Sequence, residues 1–393
     1  MDKFNFSTNT GASHLEFVGF KIDENIFSNI KKELVSLLKK SSYKDAEIIE
    51  GLIKNLENDK SKFKEYINLD EDEFSLTPHE IDYLLKSPKE KWVDFIIHRY
   101  RFKHFPTKKI LTKFPVHVAI EPTSVCNLRC VMCFQCDETF GKNKKFMGYM
   151  EWDLFKKIMD EVSQNNCQAV TFASRGEPTL HKQFPEMLEY CKQKNILDIK
   201  INTNATVLND KIINAILSSN VTTVVYSVDA SDKETYEKIR VKGKFEKVLA
   251  NIIRFNEIRK SDFPNSITQT RISGVSVLEA QSPEEMQKFW SKYVDYVAIR
   301  KEIPRWDSYN NPPHNLEGIC NLLYERLYVW FDGTTVPCDF DYKSYLNLGN
   351  VKNQKIKEIW LGEKYQKLRE EHTSRRRSKI EPCRRCPFGV EGC

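Results

Sequence analysis

The sequence contains no apolar run long enough to cross a membrane. Its longest apolar stretches, such as residues 221–226, fall far short of the roughly 20 residues that a transmembrane helix needs. Residues 1–5 also lack the basic and then apolar pattern with which a secretory signal peptide begins. These two absences predict a cytoplasmic protein with no membrane span.

The sequence also lacks a strong excess of charge of either sign. Its 61 Lys and Arg residues face 55 Asp and Glu residues, which leaves a formal net charge of +6 over 393 residues. A charge this small indicates a lysine-rich solvated surface and does not require nucleic acid as a partner. With 40% hydrophobic and 30% charged residues, the composition is typical of a globular protein, and the length predicts two or three domains.

Cysteine is absent from the first 125 residues and then occurs in groups. Nine of the eleven cysteines lie within 126–136 and 320–393. Because cytoplasmic thiols stay reduced, this pattern argues against a disulfide framework. Grouped thiols indicate two inorganic sites instead. The other two, Cys167 and Cys191, are predicted to be small buried hydrophobes.

Residues 1–108 contain neither metal-ligand spacing nor a glycine-rich loop. Apolar residues recur at helical intervals over 26–38 and 48–56, and Thr-Pro-His-Glu at 77–80 is typical of a helix start. The region is therefore predicted to be helical. Two roles stay open, a cap packed on the next domain and a recognition module for a substrate or partner. The basic and aromatic stretch 99–105 fits an amphipathic helix end better than a nucleic-acid contact.

Strand and helix patterns alternate over residues 113–303. Strands are predicted at 116–120, 169–173, 198–201, 221–228, 269–277 and 296–299, with helices at 152–162, 184–193, 210–217, 245–259 and 283–290. Such strands pair in parallel through right-handed crossovers. The predicted fold class is therefore α/β, a partial (β/α)6 TIM-like barrel with an N-terminal helical region and a C-terminal cysteine-rich domain. Active-site residues of barrels lie at the carboxyl ends of strands, where Cys126, Glu177, Asn204 and Asp229 fall.

Residues 304–393 form the third predicted unit. Pro and Asn are frequent over 304–320, which indicates a linker. A hairpin is predicted over 327–336 and a helix over 356–369. Three consecutive arginines, 375–377, indicate a solvated basic run before the last cysteines.

Three cysteines, Cys126, Cys130 and Cys133, stand at C-x-x-x-C-x-x-C spacing directly after the first predicted barrel strand. Iron–sulfur clusters are normally closed by four cysteine ligands, so three thiolates on one tight loop leave one iron open to a small molecule. Structural zinc is the alternative, but zinc needs a fourth ligand and prefers paired C-x-x-C knuckles. Cys136 stays unassigned.

Four further motifs follow this loop. They are Gly-Glu-Pro at 176–178, Asn-Thr-Asn at 202–204, Ser-Val-Asp-Ala at 227–230 with Ile-Arg at 239–240, and the C-terminal cysteines. Over residues 113–393 the chain resembles the radical S-adenosylmethionine (SAM) enzymes that carry a C-terminal auxiliary-cluster region of the SPASM or twitch type. It departs from the family's usual pattern at Arg175 and Ala205, where glycine is usual.

The resemblance implies a 4Fe–4S cluster on Cys126, Cys130 and Cys133 whose open iron takes the amino and carboxylate groups of SAM. It also implies that seven residues contact SAM: Met132 and Phe134 at the adenine, Gly176 through a close backbone approach, Glu177 at the ammonium group, Asn204 at SAM or substrate, Ser227 at the ribose and Arg240 at the carboxylate. For Asn204 the alternative is a polar cap, and for Arg240 it is a surface position.

The resemblance further implies one auxiliary 4Fe–4S cluster, closed by Cys320, Cys338, Cys383 and Cys386, with Cys393 as an alternative ligand. A zinc ribbon is the competing interpretation, because two cysteine pairs also suit tetrahedral zinc. In peptide-oxidising relatives the aspartate that follows the second of these cysteines takes a proton from the substrate, which makes Asp339 the implied catalytic residue. Turn chemistry is the alternative for Asp339.

The resemblance thus implies an enzyme that cleaves SAM reductively to a 5′-deoxyadenosyl radical, which takes a hydrogen atom from the substrate. One expected substrate is a peptide or protein that is oxidised, cross-linked or epimerised. The alternative is a sugar- or aminoglycoside-like small molecule that is dehydrogenated or epimerised. Either enzyme needs an electron donor such as flavodoxin or ferredoxin. A non-catalytic iron–sulfur or zinc protein that binds nucleic acid is the third interpretation.

Overall fold

The structure is a computed structural model that describes residues 12–17, 25–39, 46–58, 76–279, 281–302, 306–314 and 316–388. Cys393, the alternative auxiliary ligand, lies outside the described residues.

Within these residues the strands form one continuous sheet. They are β1 (Ala12–Phe17), β2 (His117–Ile120), β3 (Ala169–Phe172), β4 (Asp198–Thr203), β5 (Thr223–Ser227), β6 (Gln269–Ser276), β7 (Tyr296–Lys301), β8 (Arg326–Val329), β9 (Thr334–Val336) and β10 (Gly349–Asn350). Their order across the sheet is β1-β7-β6-β5-β4-β3-β2-β8-β9-β10.

Six neighbouring strands, β2 to β7, are parallel and follow one another in chain order. Each matches a strand predicted from the sequence, so the predicted α/β fold with a parallel core is confirmed. Strand β8 adds in parallel to β2, and β9 and β10 continue antiparallel. The cysteine-rich region therefore extends the barrel sheet. At the other edge β1 pairs antiparallel with β7, which the helical pattern of residues 1–108 does not predict.

The described helices are α1 (Asn25–Lys39), α2 (Ala46–Asn58), α3 (Pro78–Lys86), α4 (Trp92–Thr107), α5 (Glu138–Gly141), α6 (Trp152–Gln164), α7 (Phe184–Gln193), α8 (Asp210–Ser218), α9 (Lys233–Ile239), α10 (Phe245–Asp262), α11 (Pro283–Trp290), α12 (Leu322–Glu325), α13 (Ile356–Trp360) and α14 (Glu363–Thr373). The prediction of one helix over 356–369 is wrong in one respect. The helix is interrupted at Gly362, whose backbone is extended, so the segment forms two helices, α13 and α14. None of the described helices is long and apolar enough to span a bilayer.

The two faces of the barrel sheet carry different kinds of side chain, apolar on one face and polar on the other. On β4, Ile199 and Ile201 are fully buried in the main hydrophobic core. Asp198, Lys200 and Asn202 alternate with them and line an interior cavity. The helix-facing side of the sheet is therefore a packed core, whereas the barrel interior is polar and open enough to hold a ligand.

Helices α3 and α4 pack at the amino ends of the barrel strands. Helix α3 begins at the predicted helix start with a capping box, in which Thr77 accepts the Glu80 N–H at 3.2 Å and Glu80 accepts the Thr77 N–H at 2.6 Å. The buried Glu80 also pairs with Arg99 and Lys103 of α4, and Arg99 lies 3.6 Å from Asp198 at the start of β4. Two cations of the basic and aromatic stretch therefore pair with a buried carboxylate of α3, and Arg99 also joins α4 to the barrel.

Candidate active site

The three-cysteine loop (residues 126–133) lies at the carboxyl end of β2. Two of its backbone N–H groups donate to the carbonyl oxygens of Ile239 and Val241, each at 3.0 Å. The segment after α9 therefore holds the loop in place, and Arg240 lies in the middle of that segment.

Cys130 of this loop is buried, Cys126 and Cys133 are half-buried, and the three thiols are close enough to interact electrostatically. Burial raises the pKa of Cys126 and of Cys133 to about 12, so free thiols here are protonated near neutral pH. The backbone N–H groups of Leu128 and Gln135 point at these two sulfur atoms. Backbone donors of this kind stabilise sulfur ligands in the thiolate form, so the donor set fits an iron–sulfur cluster.

A second loop, residues 174–178, packs against the three-cysteine loop. A Cβ atom on Gly176 would lie 2.3 Å from the carbonyl oxygen of Thr123 and 2.6 Å from that of Val125. Because both are backbone atoms, only glycine permits this approach. The Glu177 N–H donates to the same Val125 oxygen at 3.0 Å. The close backbone approach at Gly176 is therefore made to the chain that leads into Cys126.

The Glu177 carboxylate is buried and has no cationic partner within the described residues. Its Oε1 accepts from the hydroxyls of Thr179 and Thr203 at 2.5 and 2.7 Å, and its Oε2 accepts the Asn204 N–H at 2.6 Å. Burial raises the pKa of Glu177, because hydrogen bonds alone do not offset the cost of desolvating the carboxylate. A buried carboxylate in this state suits a cationic ligand.

Asn204 connects this carboxylate with the three-cysteine loop. Its Nδ2 donates to Asn127 Oδ1 at 2.9 Å and lies 4.0 Å from Cys126 Sγ. Its Oδ1 accepts from the backbone and hydroxyl of Thr206, so the cap interpretation also describes part of its role. The next residue, Ala205, has φ of 59°, which explains why glycine suits this position in the family.

Arg240 is buried between Asp229 and the three-cysteine loop. Its Nε donates to Asp229 Oδ2 at 2.5 Å, and its Nη1 lies 3.6 Å from Cys130 Sγ. Asp229 also accepts the Val275 N–H at 2.8 Å, which fixes it between β5 and β6. Arg240 is buried, so the surface position that was its alternative does not describe it. Nη2 of Arg240 has no hydrogen-bond partner within the described residues.

A cavity of about 690 Å³ brings these groups together. Its lining includes the three predicted cluster cysteines, all seven predicted SAM contacts and the predicted base: Cys126, Cys130, Cys133, Met132, Phe134, Gly176, Glu177, Asn204, Ser227, Arg240 and Asp339. Its volume falls in the range of roughly 300–1,000 Å³ that is usual for small-molecule sites.

A second group of thiols forms where the C-terminal segments meet. Burial raises the pKa of Cys386 to about 11, and burial likewise raises the pKa of Cys320, Cys338 and Cys383. Cys338 interacts electrostatically with the other three thiols, so the four lie near one another. Backbone N–H groups point at two of them, from Leu322 and Leu323 to Cys320 and from Phe388 to Cys386. This complete set of four sulfur donors also fits an iron–sulfur cluster.

Arg377 lies beside these thiols, which corrects the prediction of a solvated run over 375–377. It is only 4% exposed, its Nη2 donates to the Cys386 carbonyl oxygen at 3.3 Å, and its Nε is buried with no hydrogen-bond partner. Arg376 is exposed and pairs with Glu371 at 2.8 Å. One arginine of the run therefore brings a positive charge to the cysteine site, whereas its neighbour is solvated as predicted.

The predicted linker also makes specific contacts. Ser308 is fully buried and donates to the Phe340 carbonyl oxygen at 2.7 Å, and the Tyr309 hydroxyl donates to Asp341 Oδ1 at 2.8 Å. Part of the Pro- and Asn-rich segment is thus packed on the C-terminal region.

Comparison with protein families explains the two thiol groups. The family model of the "Radical SAM superfamily" matches residues 120–289, and the SPASM model, an "Iron-sulfur cluster-binding domain", matches residues 320–387. The chain belongs to the radical SAM superfamily. It carries a C-terminal SPASM domain, and this membership implies a SAM-binding 4Fe–4S cluster, an auxiliary iron–sulfur site and SAM as cofactors. The zinc interpretations of both thiol groups are therefore replaced by iron–sulfur sites.

Relatives of this radical SAM protein have several different substrates. A tungsten-containing aldehyde ferredoxin oxidoreductase cofactor-modifying protein from Pyrococcus furiosus is 25% identical over 297 residues, which cover 63% of this chain and 82% of that protein. An AdoMet-dependent heme synthase from Methanosarcina barkeri is 27% identical, and the match covers 56% of this chain and 59% of that protein. A cysteine-type anaerobic sulfatase-maturating enzyme from Clostridium novyi is 28% identical, and the match covers 59% of this chain and 65% of that protein.

Solved structures share the fold. SuiB from Streptococcus suis bound to S-adenosylmethionine superposes with a TM-score of 0.54 at 15% identity, covering 94% of this chain and 87% of that one. Native anSMEcpe with bound AdoMet and the Cp18Cys peptide superposes with a TM-score of 0.50 at 17% identity, covering 70% of this chain and 90% of that one.

An ion pair that the sequence does not predict lies where the radical SAM core meets the SPASM domain. Arg175 donates through Nε and Nη2 to the Glu121 carboxylate at 2.7 and 2.6 Å, and both side chains are buried. Arg175 Nη1 donates to the Tyr342 carbonyl oxygen at 3.0 Å, and its guanidinium lies 4.2 Å from the centre of the Trp330 ring. Arginine in place of the usual glycine therefore adds a contact between the two regions.

The two residues predicted at the adenine differ in their surroundings. Met132 is partly exposed and lines the cavity. Phe134 is buried and stacks on Tyr342 of the SPASM domain, with ring centres 4.9 Å apart. Phe134 therefore also serves as a packing contact between the core and the SPASM domain.

The two aspartates after Cys338 have separate positions. Asp341 is fully buried and accepts the Tyr345 and Leu346 N–H groups at 2.8 and 2.7 Å, so it organises the turn. Burial raises the pKa of Asp341 to about 6. Asp339 lines the cavity instead. Turn chemistry is thus assigned to Asp341, and the role of base at Asp339 stays a prediction.

Replacing Arg377 with Gln is expected to lower the reduction potential of the auxiliary cluster by about 50–100 mV, because a nearby cation favours the more negative reduced state. The measurement is an EPR-monitored redox titration in a chain whose three-cysteine loop carries alanines. Arg377→Lys, which keeps the charge, should restore most of the potential. The exposed neighbour variant Arg376→Gln is the control, and an equal shift there would contradict a local effect.

Proposed function

We propose that this radical SAM enzyme uses SAM to abstract a hydrogen atom from a substrate bound inside the barrel. The observation that carries the proposal is the shared cavity onto which the three-cysteine loop, Glu177 and Asp339 all open. A cavity that joins SAM-binding groups to a potential base provides one space for the cofactor and the reacting bond.

A cluster held by Cys126, Cys130 and Cys133 would supply the electron for reductive cleavage of SAM, and SAM would supply the 5′-deoxyadenosyl radical for hydrogen-atom abstraction. The residues of the chain hold and orient SAM. Glu177 offers a buried carboxylate without a cationic partner among the described residues to the SAM ammonium group. Arg240, fixed by Asp229 beside Cys130, offers Nη2 to the SAM carboxylate. Both are charge-assisted contacts, which are stronger than neutral hydrogen bonds.

The proposed overall reaction is a two-electron oxidation of the substrate. The first electron leaves with the abstracted hydrogen atom, and Asp339 takes the proton that the resulting radical releases. The auxiliary cluster, when bound, supplies the acceptor for the second electron. Asp339 directly follows Cys338, so the proposed proton and electron acceptors are adjacent in the chain.

A small molecule is the favoured substrate class, because the cavity runs into the barrel interior, where charged side chains of β4 and β6 line it. The relative that modifies a tungsten-enzyme cofactor supports this class. Peptide modification is the second candidate and is supported by the sulfatase-maturating relative.

Glu177→Gln is expected to reduce SAM cleavage about 10–100-fold, because it removes the negative charge opposite the ammonium group. The assay follows 5′-deoxyadenosine after anaerobic reconstitution with iron and sulfide, reduction by dithionite and addition of SAM. Glu186→Gln, at an exposed side chain that pairs with Lys211, is the matched control and should retain full activity.

The wild-type protein is expected to form 5′-deoxyadenosine, and SAM is expected to change the EPR spectrum of the reduced cluster. If SAM produces neither change in the fully reconstituted wild-type protein, the proposed enzyme activity is wrong and a non-catalytic iron–sulfur role is the better interpretation.

A further inference from the structure

The same cavity carries an excess of positive charge. Among its lining residues seven Arg and Lys side chains face four carboxylates, so the cavity has three cations more than anions. Two of those carboxylates, Glu80 and Asp198, are already paired with Arg99 at the amino ends of the strands. Glu177 is the carboxylate proposed to face SAM. Three of the lining arginines, Arg175, Arg240 and Arg326, pair with carboxylates outside the lining, those of Glu121, Asp229 and Glu325.

Lys200 and Arg271 line the same cavity and stand outside these ion pairs. Neither forms an ion pair with a carboxylate in the part of the chain that the structure describes. Arg271 lies 5.6 Å from the Tyr296 ring centre, and its Nε is buried with no hydrogen-bond partner. A guanidinium donor left unsatisfied in a cavity indicates that an acceptor belongs beside it.

The electrostatics of Lys200 point the same way. Burial and then the charges of Arg271, Arg326 and Arg300, in that order, lower the pKa of Lys200 to about 7. Cations that repel one another inside a protein cost stability unless a bound anion compensates them. Asp198 is the only carboxylate among the main influences on Lys200, and it acts more weakly than each of these arginines.

The sheet register places both cations below the SAM residues. Ser273 pairs with Ser227, the predicted ribose contact, and Arg271 precedes Ser273 by two residues on β6. At about 3.3 Å per residue this puts Arg271 roughly 7 Å deeper along its strand. Lys200 precedes Asn204 by four residues, which puts it roughly 13 Å deeper. A molecule held at its end by these cations would extend upwards to the SAM site.

We propose that Lys200 and Arg271 bind the anionic end, a phosphate or a carboxylate, of a small-molecule substrate and so direct its opposite end towards SAM. Arginine matches such groups because its planar fork makes two parallel hydrogen bonds to their oxygens, and lysine adds a point charge. The inference rests on the proposed function for the location of the reacting bond, but the binding of the anion does not depend on SAM or on reduction.

The test is isothermal titration calorimetry of the reconstituted holoenzyme with two probes, inorganic phosphate in one arm and succinate in the other. Ionic strength is held constant with potassium chloride, because general screening also responds to salt. Saturable binding of phosphate alone assigns a phosphate group, and binding of succinate alone assigns a carboxylate. Lys200→Met and Arg271→Met are each expected to weaken the bound probe about 10–100-fold.

Lys192→Met, at an exposed lysine of α7, is the matched control and should bind the probe like the wild type. A purely structural role for the two cations predicts that their methionine variants melt at lower temperature, whereas removal of repelled charge predicts an unchanged or higher Tm without the probe. No saturable binding of either probe, or equal weakening by Lys192→Met, would overturn the proposal. SAM cleavage is assayed separately. The anion-binding proposal can therefore fail while the proposed SAM chemistry holds, and the proposed SAM chemistry can fail while anion binding holds.

Discussion

Alanine at Cys126, Cys130 and Cys133 together is expected to abolish SAM cleavage and to lower the bound iron from about eight atoms per chain to about four. The three thiols are the predicted sulfur donors of one site, whereas the four SPASM thiols lie near one another elsewhere, and two of them have backbone donors of their own. The remaining cluster should therefore assemble unchanged. Iron and sulfide analysis with EPR spectroscopy measures the loss, and the 5′-deoxyadenosine assay measures activity.

Cys136→Ala supplies the matched control within the same segment. Cys136 donates its thiol hydrogen to the Cys130 carbonyl oxygen at 3.1 Å and is not part of the predicted ligand set. Its alanine variant should keep both clusters and SAM cleavage. Loss of all iron from the triple variant would show that the two sites do not assemble independently and would contradict the assignment of two separate ligand sets.

The barrel could be predicted because the repeat of apolar residues along a strand depends only on which face of that strand is buried. Each strand buries an apolar face under helices, as Ile199 and Ile201 do on β4, and the intervening helices are amphipathic. Parallel strands then bring their carboxyl ends together whatever the details of packing. That rule is why the amino-acid pattern by itself suffices to place Glu177, Asn204 and Asp229 near the cysteine loop.

The features that the sequence does not predict depend on long-range contacts. Strand β1 is held by backbone pairing to β7, far along the chain, so its own side-chain pattern carries little information. In the sequence Arg377 cannot be distinguished from its solvated neighbours, because its burial depends on the position of the last cysteines in the folded chain. Glu121 and Arg175 are separated by 54 positions, and nothing in their local patterns links them.

Replacing Arg175 with Met is expected to lower the free energy of unfolding by about 3–5 kcal/mol, the usual cost of breaking a buried ion pair. The fully buried Glu121 would keep only two backbone donors among the described residues, the N–H groups of residue 175 and Phe331 at 3.2 and 3.3 Å. Those donors do not neutralise a carboxylate in the protein interior. Urea denaturation of the wild type and the variant measures the difference.

A double-mutant cycle separates the ion pair from simple loss of packing. Glu121→Gln alone should also destabilise the protein, but the double variant should be about 2–3 kcal/mol more stable than the sum of the two single effects, since neither charge is then left unpaired. Arg254 and Asp210 provide the comparison, because they form the same two-pronged contact at 2.7 and 3.1 Å on the exposed surface. Arg254→Met should change stability little, since water compensates the charge that remains. Equal losses at Arg175 and Arg254 would mean that contact geometry decides the effect, and that burial of Glu121 against the SPASM domain does not.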